Sequence, residues 1–357
     1  MSRFYRHSAG GAQGYRGMIT PLFFAASLWL APSGLAIAAT SLEHWSAIMA
    51  KPDKVRNHLP VISFDNPPIA TTRLQVYYEA YGLDIGGASH VFGTFDSGDF
   101  VLAAHAFIPK APRGTVLLLH GFLDHAGTLA NTMRHLVEQG YAVATFDLPG
   151  HGLSSGRRTH IDDFVEYERA LNDFIGLIDG ELPRPYHAVA HSTGAAIVVT
   201  RILSQPDEDN FGNIVLVSPL VRSALWYLST ISADLIDNMV ENVPRIFREN
   251  TSDPAFLEAV RNDPMQPRQT SLAWVEALVN WNQRIASYPP SMKPVFIIQG
   301  EEDYVVDWDY NLAFLRDKFP NATIETIEEG KHQLLGERAE MRQQVFAFID
   351  RALAFQQ

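Results

Sequence analysis

Alternating apolar positions run through His90–Phe95 and again through Val101–Ile108, with Asp96-Ser97-Gly98-Asp99 between them. That period predicts two strands closed into a hairpin. The pattern then changes. Thr115–Leu119, Ala142–Phe146, His187–Ala190 and Ile214–Val217 are short apolar runs, the mark of strands buried on both faces. Helical spacing fills the gaps, at about Thr128–Glu138, Ile161–Ile178 and Thr193–Leu203. Strands alternating with helices in this way predict a doubly wound, mostly parallel sheet with right-handed crossovers.

The alternation stops at Ser218-Pro219. From about Leu220 to Ser291 the chain reads as helical and carries Trp226, Tyr227, Trp274 and Trp281. It then resumes with the strand Val295–Ile298, a helix near Asn311–Lys318, the strand Thr323–Ile327 and a last helix, Glu337–Phe355. An insertion between two sheet strands predicts a cap over one sheet edge, although its aromatics would also suit an enlarged core. Thr40 to about Ser89 is polar, broken by Pro60, Pro67 and Pro68, and reads as an irregular lead-in with a short helix near Leu42–Met49. The division is therefore 1–38, an export signal or anchor; 39–89, the lead-in; 90–219 with 293–357, the α/β core; and 220–292, the helical cap.

The first segment differs in kind. Arg3, Arg6 and Arg16 are its basic residues, no acid precedes Glu43, and Met18–Ala39 is almost wholly apolar. Ala36-Ile37-Ala38 offers small residues where a signal peptidase reads. Export, periplasmic or secreted, is the expectation. The rival is an uncleaved anchor associating with the membrane, since the run approaches the ~20 residues that span a bilayer, though Pro21, Pro32 and Gly34 weaken it. A net charge of −12 argues against nucleic acid as partner, and zero cysteines exclude disulfides and thiolate metal sites.

Candidate chemistry centres on Ala190-His191-Ser192-Thr193-Gly194, a strand end followed by a helix start. Small flanks suit a sharp turn that lifts a serine above the sheet. Gly152-Leu153-Ser154-Ser155-Gly156 fits G-x-S-x-G letter for letter, but it follows the turn-rich Asp147-Leu148-Pro149-Gly150-His151 and precedes no close-packed helix. Ser192 is the expected nucleophile. A serine needs a base, and the base an orienting acid. Loops leaving the strands Val295–Ile298 and Thr323–Ile327 carry Asp303 and His332, the expected acid and base, in the order serine, acid, histidine. Glu301, Glu302 and Asp307 are neighbouring acids read as solvated charges, and His191 is expected to pack or to touch substrate. Oxyanion donors are expected at the N–H of Thr193 and, on Leu119-His120-Gly121-Phe122, at that of Phe122. His120, His125 and His151 fit no common zinc spacing. No metal and no cofactor are expected.

Taken in order, Leu119-His120-Gly121 with Asp124-His125, Phe146-Asp147-Leu148-Pro149-Gly150-His151-Gly152, the Ser192 turn, Gly300 to Asp303 and Gly330-Lys331-His332 resemble the α/β-hydrolase superfamily. Within it they look like the lysophospholipase and monoacylglycerol lipase group, also described as serine-aminopeptidase-like hydrolases. Ala190 departs from the usual glycine. The resemblance, over about 85 to 355, implies an α/β-hydrolase fold with a helical cap after the sixth strand. It also implies cofactor-free hydrolysis of a small-molecule or lipid ester through an acyl-serine. The alternatives are a proline-iminopeptidase-like peptidase and a noncatalytic, membrane-tethered binding protein with the same fold.

Overall fold

The computed structural model describes Met49 and residues 51–65, 71–206, 211–235 and 241–355. The expected export segment lies outside them, as does all but Met49 of the short helix expected near Leu42. Among the described residues no helix is long and apolar enough to cross a membrane. The lead-in is less irregular than its composition predicts. It forms α1 (Pro52–Arg56) and α2 (Thr72–Tyr81). Tyr77 of α2 is fully buried, and its hydroxyl lies 3.3 Å from His105 Nε2. Among the described residues of α2 the buried ones are Leu74 and Tyr77, too few to set an apolar period that a sequence reading finds.

β1 (Ala88–Ser97) and β2 (Phe100–Pro109) form the hairpin in unbroken register, Ala88 opposite Pro109 and Ser97 opposite Phe100. Pro60 to Ile62 lie along β1, Ile62 N–H donating to Thr94 O at 2.9 Å and Thr94 N–H to Pro60 O at 2.8 Å. Then follow β3 (Thr115–Leu119), α3 (Ala130–Glu138), β4 (Ala142–Phe146), α4 (Val165–Ile178), β5 (Tyr186–His191), α5 (Thr193–Ser204) and β6 (Phe211–Val217). The insertion after β6 holds α6 (Trp226–Leu235), β7 (Asn242–Pro244), α7 (Pro254–Asn262), β8 (Gln269–Ser271) and α8 (Leu272–Ser287). The chain closes with β9 (Phe296–Gly300), α9 (Trp308–Lys318), β10 (Thr323–Ile327) and α10 (Ala339–Leu353).

The eight sheet strands lie in the order β1-β2-β4-β3-β5-β6-β9-β10. β2 runs antiparallel to both neighbours, and every pair from β4 onward is parallel. Alternation along each strand divides the core between two faces. Leu117, Leu119, Ala188 and Ala190 face the layer of α4 and α5, while Val116, Leu118, Val189 and Val215 face that of α3 and α10. Both faces are covered, so the inner strands need no polar alternation, and their runs are mostly apolar, with Thr145, His187 and Asn213 buried among them.

The insertion is not purely helical. β7 and β8 pair antiparallel as a two-stranded ribbon, Asn242 opposite Ser271. Nor is it all cap. Trp274, Ala277, Leu278, Trp281 and Ile285 of α8 belong to the same core cluster as α4 and α5, and Trp281 Nε1 donates to Thr200 Oγ1 at 2.8 Å. Spacing of three and four along α8 puts these residues on one face. That helix roots the insertion in the core. Trp281→Ala should therefore cost about 3–5 kcal/mol, read as a fall in the urea midpoint. A loss below about 1 kcal/mol, typical of a surface change, would show that α8 is peripheral.

Candidate active site

The sharp turn between β5 and α5 is built by backbone before any side chain acts. Ser192 has φ 52° and ψ −113°, a conformation that costs an L-residue about 1–3 kcal/mol. Its N–H donates to Val217 O at 3.0 Å, and its carbonyl accepts from Ala196 N–H at 3.1 Å and Leu220 N–H at 3.2 Å. Neighbouring positions must be small. A Cβ on Gly194 would sit 2.8 Å from both Leu119 O and His120 O, and one on Gly121 would sit 3.0 Å from Ser192 Cβ. Ala190, one methyl larger than the usual glycine, is fully buried in the α4–α5 layer.

The structure brings three predicted residues together. Ser192 Oγ is 3.0 Å from His332 Nε2, and His332 Nδ1 is 2.7 Å from Asp303 Oδ2. A carboxylate can only accept, so Nδ1 carries the proton and Nε2 offers its lone pair to the serine hydroxyl. Asp303 is held on every side. Its Oδ2 also accepts from Gln299 Nε2 at 2.9 Å, and its Oδ1 accepts from Val305 N–H at 2.8 Å and Val306 N–H at 3.1 Å. Burial works to raise its pKa, but His332 and these donors outweigh burial and hold the carboxyl below its ordinary value.

The other sequence candidates go elsewhere. Ser154 Oγ donates to Asp147 O and accepts from Ala103 N–H at 3.0 Å, so its hydroxyl ties a loop to β2. Asp307 caps α9, accepting from Tyr310 N–H. Glu301 and Glu302 are exposed, the former accepting from Thr326 Oγ1. His191 Nε2 donates to His332 O at 3.0 Å, and burial, aided by His332, pushes its pKa down to about 4. It therefore stays neutral and adds no positive charge beside His332. His120 Nδ1 and His151 Nδ1 lie against the carbonyls of Gly121 and Pro149. The N–H groups of Phe122 and Thr193 donate to no protein acceptor among the described residues, and both residues line the cavity above Ser192.

That cavity has a volume of about 340 Å³. Its walls come from the core loops and from the insertion, including Leu225, Phe256, Trp274 and Leu278. Trp274 stacks on Phe122 with ring centroids 3.6 Å apart and planes 12° apart. The insertion thus bears directly on the loop that carries the Phe122 N–H.

A family model described as Serine aminopeptidase, S33 (Hydrolase_4) matches residues 110–339. The chain belongs to this hydrolase family. Family relatives include a monoacylglycerol lipase of Mycolicibacterium smegmatis, 27% identical over 204 residues, covering 55% of this chain and 72% of the relative. Phospholipase YtpA of Bacillus subtilis is 24% identical over 204 residues, covering 55% of this chain and 78% of its own. The solved monoglyceride lipase of Saccharomyces cerevisiae, a soluble variant with a substrate analog, superposes with a TM-score of 0.67 at 19% identity, covering 76% of this chain and 97% of that one. The S33 chain described above thus has the α/β-hydrolase fold.

A second buried pair had no sequence signal. His125 Nε2 lies 2.8 Å from Asp263 Oδ2, and Tyr81 Oη donates to Asp263 Oδ1 at 2.7 Å. The partners are 138 residues apart, and motif spacing does not reach that far. They tie the loop after β3 to the insertion just beyond α7 and to α2. Burial pushes His125 down, but the charges of Asp263, Asp147 and Asp124 outweigh it and the net shift is up. Burial likewise raises Asp263, and His125 and the donors reverse it to a net fall. The lowered Asp263 contributes stability above its unfolded pKa of ~3.9, lost as pH falls through the folded value; the raised His125 contributes below ~6.5, lost as pH rises through its folded value. The stability advantage over Asp263→Asn should therefore be greatest between about pH 4 and 6.5 and shrink toward pH 9. Urea unfolding across that range measures it, and an advantage flat with pH contradicts the pairing.

Proposed function

We propose that this S33-family hydrolase cleaves carboxylic esters of single-chain lipids, of monoacylglycerol or lysophospholipid type, through an acyl-serine at Ser192. The observation that carries the reading is the Ser192–His332–Asp303 line, at 3.0 and 2.7 Å, on the floor of a largely apolar cavity. His332 Nε2 takes the hydroxyl proton as Ser192 Oγ bonds to the ester carbonyl carbon. The N–H groups of Phe122 and Thr193 receive the charge that develops on the carbonyl oxygen. Collapse breaks the bond to the alcohol, which leaves with the proton from His332. Water then adds to the acyl-serine with His332 again taking a proton, and the carboxylic acid departs as Ser192 regains its hydrogen. Asp303 keeps the imidazole in the required tautomer and stabilises its cation.

Ester hydrolysis is preferred to aminopeptidase action on the lining of the cavity. An aminopeptidase must receive a cationic amine, whereas the charged lining here includes Arg245, Arg248 and Arg261 against Asp124. Asp124 already accepts from His125 N–H, Thr128 Oγ1 and Gln333 Nε2. We also propose export, with the N-terminal segment as signal or membrane anchor, on the basis of its basic and apolar pattern. Fractionation of cells expressing the full chain tests that: recovery in the cytosol alone counts against it.

Ser192→Ala should remove turnover of p-nitrophenyl decanoate, while Ser154→Ala lowers stability and retains the mechanism. Asp303→Asn should cost on the order of 10⁴ in kcat, the loss seen when a triad acid no longer fixes its histidine. Turnover in Ser192→Ala well above background overturns the assignment. The apolar walls also imply that kcat/KM rises with acyl length, by up to ~0.8 kcal/mol per buried methylene until the cavity is full. Acetate esters faster than decanoate below micelle formation would contradict an acyl-binding cavity.

A further inference from the structure

The protein as a whole carries a net charge of −12, yet the cavity above Ser192 is lined by three arginines and one aspartate, besides His191 and His332. None of Arg245, Arg248 and Arg261 forms an ion pair among the described residues. Arg245, on the stretch after β7, is the most enclosed of the three. Its Nη1 donates to Gln266 Oε1 at 2.6 Å, Pro267 O at 3.3 Å and Leu123 O at 3.4 Å, and its guanidinium lies 4.4 Å from the centre of the Phe247 ring. Its Nε and Nη2 have no protein acceptor among the described residues. Burial pushes its pKa down to about 10, against the pull of Asp124, so it is charged at neutral pH without a carboxylate partner. A charge so placed is stabilised when an anion enters beside it. Gln266 joins Arg245 to Asp124, since its Nε2 lies 3.5 Å from Asp124 Oδ1.

Arg248 Nη1 donates to Tyr304 O at 2.7 Å, next to Asp303. One guanidinium is thus tied to the loop carrying Phe122 and another to the loop carrying Asp303, both on the cavity that holds Ser192. Arg261, at the end of α7, is exposed and completes the set. Together the three offer more N–H donors than the two oxygens of a carboxylate can accept, and a phosphate group presents more acceptors in a compact shape.

Building on the ester-hydrolase reading, we propose that Arg245, Arg248 and Arg261 form an anion subsite for a phosphate-bearing head group on a single-chain ester whose carbonyl lies at Ser192. Neutral glycerol esters then lack the head-group contact, and cationic amines are disfavoured.

The direct test is calorimetric binding to the full chain, at low ionic strength, of three probes: decyl phosphate, 1-O-decylglycerol and inorganic phosphate. Decyl phosphate should bind at least about tenfold more tightly than the neutral ether, the effect of one charge-assisted hydrogen bond. Arg245→Gln, shown to be folded by its melting curve, should erase most of that ratio, and Arg245→Lys should recover part of it. Equal binding of the two decyl probes, or an unchanged ratio in Arg245→Gln, overturns the subsite. Inorganic phosphate binding as tightly as decyl phosphate overturns the lipid head group and leaves a free-anion site. Hydrolysis of 1-decanoylglycerol and of its 3-phosphate is measured in parallel. If decyl phosphate binds as expected and neither ester is cleaved, the ester-hydrolase reading fails while the subsite stands. If both esters are cleaved with equal kcat/KM, the reading stands and the subsite fails.

Discussion

Ser192 is held at φ 52° and ψ −113° because β5, β6 and α5 converge on it, and the geometry of the site depends on that convergence. The backbone bonds from Ser192 to Val217, Ala196 and Leu220 fix the serine in a conformation that it would leave if free. Burial of α5 from Thr193 to Leu203 supplies the opposing stabilisation, since each of those residues is shielded from water. The tight turn has a second consequence. It brings Gly121 against Ser192, so the loop after β3 sits beside the serine and its Phe122 lines the cavity. The positions of the Ser192 hydroxyl and of the loop carrying Phe122 are thus consequences of one packing constraint.

The insertion is connected to that constraint at two places. α8 buries Trp281 in the core and places Trp274 on Phe122. The Asp263–His125 contact ties the loop after β3 to the insertion a second time. The insertion thus contributes both to the core and to the cavity wall, and α8 takes part in each. Leu225, Ile246, Phe256 and Val260 of the insertion supply cavity wall, with the arginines Arg245 and Arg248. Trp281 and Ile285 of α8 pack in the core, whereas its Trp274 and Leu278 pack there and also line the cavity.

Strands and helices of the sheet were legible to within a few residues, because buried parallel strands leave uninterrupted apolar runs and their helices a clear period. The line from Ser192 to His332 and Asp303 was legible for a related reason. Strand-end loops converge at one edge of a parallel sheet, so chain order alone selects candidates. Ser154 shows what letters without context miss: its flanking glycines match the motif, and its hydroxyl is consumed by Asp147 and Ala103. β7 and β8, three residues each, are too short to set a period. α2 was hidden because, among its described residues, it buries only Leu74 and Tyr77, the latter against Phe92 with 5.6 Å between ring centroids, and two residues set no period. His125 with Asp263, and Arg245 with Gln266, depend on tertiary neighbours that no spacing rule links.

In the proposed mechanism Ser192 carries the acyl group between the two half-reactions. Rapid acid quench of the protein during turnover of p-nitrophenyl decanoate, followed by proteolysis and peptide mass spectrometry, reads that acyl group out. A decanoyl mass increment is expected on the peptide containing Ser192 and on none containing Ser154. A decanoyl group on any other residue, or turnover in which the quenched protein never carries one despite a measured burst of nitrophenol, would contradict that mechanism.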